Sequence, residues 1–112
     1  TRGLDHCLFV YPMKVWEEIA AKLGNLPVGE SGTRSFIRLM LSGAVDTELD
    51  SQGRVLLPEY LKSDAGLKKD VAVVGVYNRL EIWDEGAWKK YKLNAEKNTG
   101  KIAEELGKLG VY

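Results

Sequence analysis

The chain has 112 residues, 45% of them apolar, and a formal net charge of zero. That is enough apolar material for one compact domain or two small halves sharing a core, although a fold of this size gains from oligomerising. Neutrality excludes a broad basic field that grips nucleic acid non-specifically, a lone cysteine excludes a disulfide framework and fits a reducing cytoplasm, and no apolar run reaches the ~20 residues that span a bilayer.

The chain begins at Thr1 with no signal-peptide pattern and enters the apolar run Leu8–Tyr11 almost at once. We therefore expect a unit upstream of Thr1 to be absent. Leu8-Phe9-Val10-Tyr11 reads as a strand ended by Pro12, which suits the first position of a helix. Val15, Trp16, Ile19, Ala20 and Leu23 then recur at helical spacing up to Gly24. A loop over 25–32 leads to a second predicted helix, Thr33 to Ser42, closed by Gly43. Ala44–Leu49 and Arg54–Leu57 read as strands joined by the turn Asp50-Ser51-Gln52-Gly53. Pro58 opens a short helix that Gly66 ends, with Leu67 placed to close a C-terminal cap. Val71–Val76 and Leu80–Trp83 are two further strands, and Asp84 is a candidate cap for a helix carrying Ala87, Trp88 and Tyr91. The charged tail after Leu93, with Ile102, Ala103 and Leu106 as a thin apolar stripe, is expected to be helical.

A repeat organises these elements. Residues 3–11 lie over residues 75–83 without a gap, and the same offset of 72 sets Trp16 against Trp88. Both copies read glycine, turn, a strand ending in an aromatic, a helix start, then tryptophan on the helix.

The segment Asp50-Ser51-Gln52-Gly53-Arg54-Val55-Leu56-Leu57-Pro58 resembles the Asp-x-x-Gly-Arg signature of AbrB/MazE-type swapped-hairpin domains. Thr1–Asp5 with Cys7–Pro12, Ser42-Gly43-Ala44, Ala65-Gly66-Leu67 and Glu81-Ile82-Trp83 are similar to the MraZ branch of that superfamily. The resemblance runs to about Tyr91. It implies an α+β fold, a pseudo-symmetric small β-barrel with flanking helices, here N-terminally truncated. On that basis residues 1–43 are the remainder of a first half, 44–92 a second half bearing the turn, and 93–112 a helical tail. It further implies an oligomer, ring-like, that binds double-stranded DNA at promoter direct repeats and regulates division and cell-wall genes from a cytoplasmic, nucleoid-associated position. Asp50 and Arg54 are the matching DNA-contact residues, within the DNA-binding turn Asp50, Ser51, Gln52, Gly53 and Arg54.

Physical chemistry supports the turn independently. Gly53 supplies the left-handed backbone that a tight strand–turn–strand needs. A guanidinium can bridge two acceptors on guanine or grip a phosphate. Asp50 could hold Arg54 in one orientation, and Gln52 at the tip could add a hydrogen bond. The plainer reading is a surface ion pair that tidies the turn. Arg34, Arg38, Lys62, Lys68 and Lys69 are read first as solvated charges and second as phosphate contacts. Trp16, Trp83 and Trp88 are read as core or subunit packing rather than base-stacking platforms. His6 and Cys7 are adjacent and badly placed as a catalytic pair, and zinc needs more nitrogen and sulfur ligands than the chain owns. No catalytic constellation, metal site or cofactor is expected, and the chain is not expected to be an enzyme. The alternative function is a protein-interaction or assembly module of antitoxin-like swapped-hairpin type.

Overall fold

The computed structural model describes residues 1–111; Tyr112, the last residue of the expected helical tail, lies outside them. The described chain is α+β, in the order β1 (Leu8–Val10), α1 (Met13–Gly24), α2 (Ser31–Ser42), α3 (Glu59–Asp64), β2 (Val71–Gly75), β3 (Leu80–Asp84), α4 (Glu85–Lys97) and α5 (Thr99–Lys108). The three strands form one antiparallel sheet in the order β1-β3-β2, and residues Thr1–Gly3 lie antiparallel along the outer edge of β1 through an Arg2–Leu8 bridge.

Alternation along the strands divides the core into two. Cys7, Phe9 and Trp83 face one way, where Leu23 of α1 and Met40 of α2 cover them and Trp88 of α4 packs alongside. Leu8 and Ile82 face the other way, against Leu61 of α3 and Ala65. Leu8 is the most deeply buried large side chain at 2% exposure, worth about 1.5–3 kcal/mol in transfer free energy.

The offset of 72 reappears in the pairing. Phe9, which lies opposite Glu81 in the register, is related to it by that offset. The neighbouring pairs Leu8 with Ile82 and Val10 with Leu80 exchange under the same step. A local two-fold through the Phe9–Glu81 pair accounts for this register. The match extends outward: α1 starts at Met13 and α4 at Glu85. Tyr11 and Trp16 sit 5.9 Å apart, and their counterparts Trp83 and Trp88 sit 5.4 Å apart. The turn backbones agree at one position, Asp5 at φ 64° and Tyr77 at φ 58°, and part at the next, where His6 is at φ 63° and Asn78 is not at positive φ.

Local sequence explains the element ends. Asp84 Oδ2 accepts the Ala87 amide at 3.2 Å, capping α4 as expected. At the end of α3, Gly66 adopts φ 60° while the Leu67 amide donates to Lys62 O and the Gly66 amide to Ser63 O. That is the bond pattern of a Schellman cap, with Leu67 packed against the α3 side of the core. The tail is helical through α4 and α5.

Two expected strands are not formed. Ala44–Leu49 and Arg54–Leu57 have extended apolar patterning but no ladder partner among the described residues. Beyond the Asp50–Arg54 closure the two arms form no ladder with each other among the described residues. Leu57 is drawn into the Leu8–Leu61–Ile82 cluster, and Pro58 next to it has no amide to donate. The first arm leaves α2 through an Ala44 amide that bonds back to Leu41 O. Between the arms and β1 lies an open apolar groove of about 750 Å³, flanked by Val10, Val45, Leu49, Leu56 and Leu80. Leu49 and Leu56 are 69% and 85% exposed along it. No helix among the described residues is long and apolar enough to cross a membrane.

Candidate nucleic-acid interface

The turn at 50–54 is built around one carboxylate. The Asp50 amide donates to Arg54 O at 2.9 Å, and the Gly53 amide donates to Asp50 O at 3.0 Å. Asp50 Oδ1 accepts the Gln52 amide at 2.9 Å and the Arg54 amide at 2.8 Å, while Oδ2 accepts Arg54 Nε at 2.9 Å. Gly53 sits at φ 77°, where an L side chain is strained although a Cβ there would meet nothing. The hydrogen bond from the Arg54 amide does most to hold the Asp50 carboxyl below its ordinary value; the Arg54 guanidinium and Gln52 amide add to this against a desolvation that opposes it.

This geometry leaves Arg54 aimed outward. Nε is consumed by Asp50, so four N–H groups remain on Nη1 and Nη2. Neither has a hydrogen-bond partner among the described residues, and the side chain is 71% exposed. An arginine clamped along its Nε edge presents its two-nitrogen end as a fork, the shape that matches a pair of acceptors on guanine or a phosphate. Ser51 and Gln52 are exposed at the tip beside it.

The other candidate charges are not gathered at this turn by any contact. Arg34 Nη1 donates to Val28 O at 2.9 Å and Gly29 O at 3.1 Å, so it braces its own loop. Lys62 pairs with Glu59 at 2.8 Å. Arg38, Lys68 and Lys69 are exposed, as read from the sequence. Trp83 is buried and Trp88 packs on the core beside it, which is the packing role expected of them. His6 is exposed on a turn at φ 63°, whereas Cys7 is buried and donates its thiol to Leu4 O at 3.1 Å. Burial, reinforced by the Glu81 charge, pushes the Cys7 thiol up to about 11. No group of three His, Cys, Asp or Glu is placed to hold a metal ion among the described residues.

Two polar nodes were missed. Glu81 lies on the helix-covered face of β3, where Oε2 accepts Arg79 Nε and Nη2 at 3.0 and 2.8 Å and Oε1 accepts Trp83 Nε1 at 3.1 Å. The Arg79 guanidinium stacks 4.6 Å from the Phe9 ring. The signal was present in the spacing, because Arg79, Glu81 and Trp83 alternate onto one face. Arg2 is the other node, bonded to Leu39, Ser42 and Asp64. Partners so distant in sequence leave no local signal.

What fold and turn define is a small α+β domain that displays a carboxylate-clamped arginine on a protruding turn. Residues 40–108 match the family described as "MraZ protein, putative antitoxin-like". A protein of Natranaerobius thermophilus named "Transcriptional regulator MraZ" is 49% identical over 106 residues, covering 95% of this chain and 74% of its own length. Relatives of the same name from Desulfitobacterium hafniense and Acetivibrio thermocellus are 47% and 41% identical over 111 residues, covering 99% of this chain and 78% of theirs. The chain belongs to the MraZ family, whose relatives here carry the name of a transcriptional regulator and not of an enzyme.

Proposed function

We propose that this chain is a transcriptional regulator that reads double-stranded DNA through the Asp50–Arg54 turn. Arg54 is the base reader, Asp50 fixes its fork, and Ser51, Gln52 and the Gly53 backbone approach the groove or the phosphates around it. The observation that carries the reading is the Arg54 guanidinium, held by Nε and free at both terminal nitrogens. The shared name of the relatives supports it.

One such turn is too little for a specific site. A bidentate contact discriminates by about 1–3 kcal/mol, whereas specific binding exceeds non-specific by about 4–10 kcal/mol. Several copies must act together, so the regulator works as an oligomer, ring-like, on promoter direct repeats of division and cell-wall genes, in the cytoplasm at the nucleoid. Closure of the β-barrel that the family resemblance implies would fall on the open groove beside β1.

The test is a titration of direct-repeat promoter DNA and a scrambled control. Arg54→Ala is expected to lose the preference for the repeats while thermal unfolding is unchanged. Equal discrimination before and after the substitution would overturn the assignment. A second reading, a protein-interaction or assembly module, draws on the neutral charge and the exposed apolar groove. DNA binding that weakens with a measurable slope in log salt favours the first reading; no binding at any salt favours the second.

A further inference from the structure

The arms that carry the turn have no ladder of their own, so their direction must be set where they leave the body. Their roots are Gly43, behind α2, and Pro58, at the start of α3. Arg2 touches the helix behind each root. Its Nη1 donates to Leu39 O at 3.0 Å and Ser42 Oγ at 3.2 Å in the last turn of α2. Its Nε donates to Asp64 Oδ2 at 2.7 Å at the end of α3. The same guanidinium lies 5.8 Å from the Tyr60 ring, and the Tyr60 hydroxyl donates to Gly43 O at 3.1 Å.

Arg2 is itself anchored to the sheet. It forms a bridge with Leu8, the Gly3 amide donates to Cys7 O, and the Thr1 hydroxyl donates to Met40 O. The fit around it is tight: a Cβ added at Gly43 would lie 2.6 Å from Arg2 Nη1. A planar guanidinium suits this place because it donates in two directions while a ring covers its face; a lysine ammonium offers no such fork. The cation also sits at the carbonyl end of α2, where positive charge is favoured.

We infer that Arg2, with Tyr60 and Asp64, is a positioning node that ties both roots of the 44–58 excursion to the sheet and so sets the direction in which Arg54 is presented. The inference rests on the DNA reading of the turn. Loss of the node lets the turn swing, which costs binding without removing any contact group.

The test separates the two readings. Spin labels at Gln52→Cys and Val73→Cys, in a Cys7→Ser background diluted with unlabelled protein, report the spread of tip-to-sheet distances within one chain. Arg2→Gln is expected to broaden that spread and to weaken binding to repeat DNA roughly tenfold, within the coupling that positioning networks carry. Its salt slope should match the parent's, since no phosphate contact is lost. Tyr60→Phe removes only the hydroxyl bond and should broaden the spread less. If Arg2→Gln does not fold, Tyr60→Phe and Asp64→Asn carry the test. An unchanged spread in the folded variants overturns the inference, and so does a broadened spread with parental affinity. Arg54→Ala should leave the spread narrow; if it also leaves DNA preference intact, the DNA reading fails independently of the distances.

Discussion

Replacing Glu81 by alanine tests the polar centre of the sheet. The two-fold through the β1–β3 pairing sets Phe9 against Glu81, an aromatic ring against a carboxylate. Phe9 exchanges both its backbone bonds with Thr1, so the pair with Glu81 is of the non-hydrogen-bonded kind, in which side chains come closest. An acid there would be costly without partners, and three donated bonds from Arg79 and Trp83 satisfy it. Alanine leaves the Trp83 indole N–H without its acceptor and the Arg79 guanidinium with only Asn78 Oδ1 and the Phe9 ring. Breaking one side of a buried pair costs about 3–5 kcal/mol, and Arg79, with 26% of its side chain still exposed, places the expected loss near the lower end, about 3 kcal/mol. At about 4 °C per kcal/mol for a domain near this size, Tm should fall by about 12 °C. Thermal and urea unfolding at fixed protein concentration measure it. Glu81→Gln keeps an acceptor for Trp83 and should lose less. The double variant Arg79→Met with Glu81→Leu removes both charges and should recover most of the loss. An alanine variant within about 1 kcal/mol of the parent, or a glutamine variant no better than alanine, would refute the reasoning.

Gly53→Ala should strain the turn without a clash, costing about 1–2 kcal/mol locally, read as faster amide exchange at 50–54 with global Tm little changed. Gly43→Ala should behave differently, displacing Arg2 from α2 and broadening the tip distances as Arg2→Gln does. Asp50 has a depressed folded-state carboxyl, so its clamp is fully present above the ordinary carboxylate range and is lost as pH falls through the lowered value. The Gln52 and Arg54 amide resonances should therefore stay fixed from pH 8 to 5 and move only in stronger acid; movement near pH 6 would contradict the clamp. Cys7 is pushed up from 9.0 to about 11. The unfolded thiol then ionises first, so stability should fall as pH rises from 9 towards 11, and thiol reagents at pH 8 should label only on unfolding.

The legible part of this fold is the part whose cause is local. Proline before α1, the Asp84 cap and the Gly66–Leu67 cap each act over a few residues, and each element end falls where those residues put it. The offset of 72 carried more than similarity, because two copies related by a two-fold must meet at equivalent positions, as Phe9 and Glu81 do. In the turn, Asp50, Gly53 and Arg54 are within five residues, so their mutual bonds were readable too.

What the sequence concealed was the choice of partner. The apolar residues at 44–49 and 54–57 suit extended segments, but a strand exists only where a second backbone takes its hydrogen bonds. Leu57 and Leu61 share one apolar cluster with Leu8, so the second arm follows the α3 side of the sheet rather than its neighbour across the turn. Arg2 is hidden for a related reason: its bonds join residues 37, 40 and 62 positions away, and nothing around Thr1 or Gly3 announces them. The consequence is functional. A turn on a paired hairpin would take its direction from the ladder beneath it. This turn sits on two arms with no ladder among the described residues. Under the proposed DNA reading its direction is inherited from the helices behind its roots, and the Arg2 node then counts alongside the arginine at the tip.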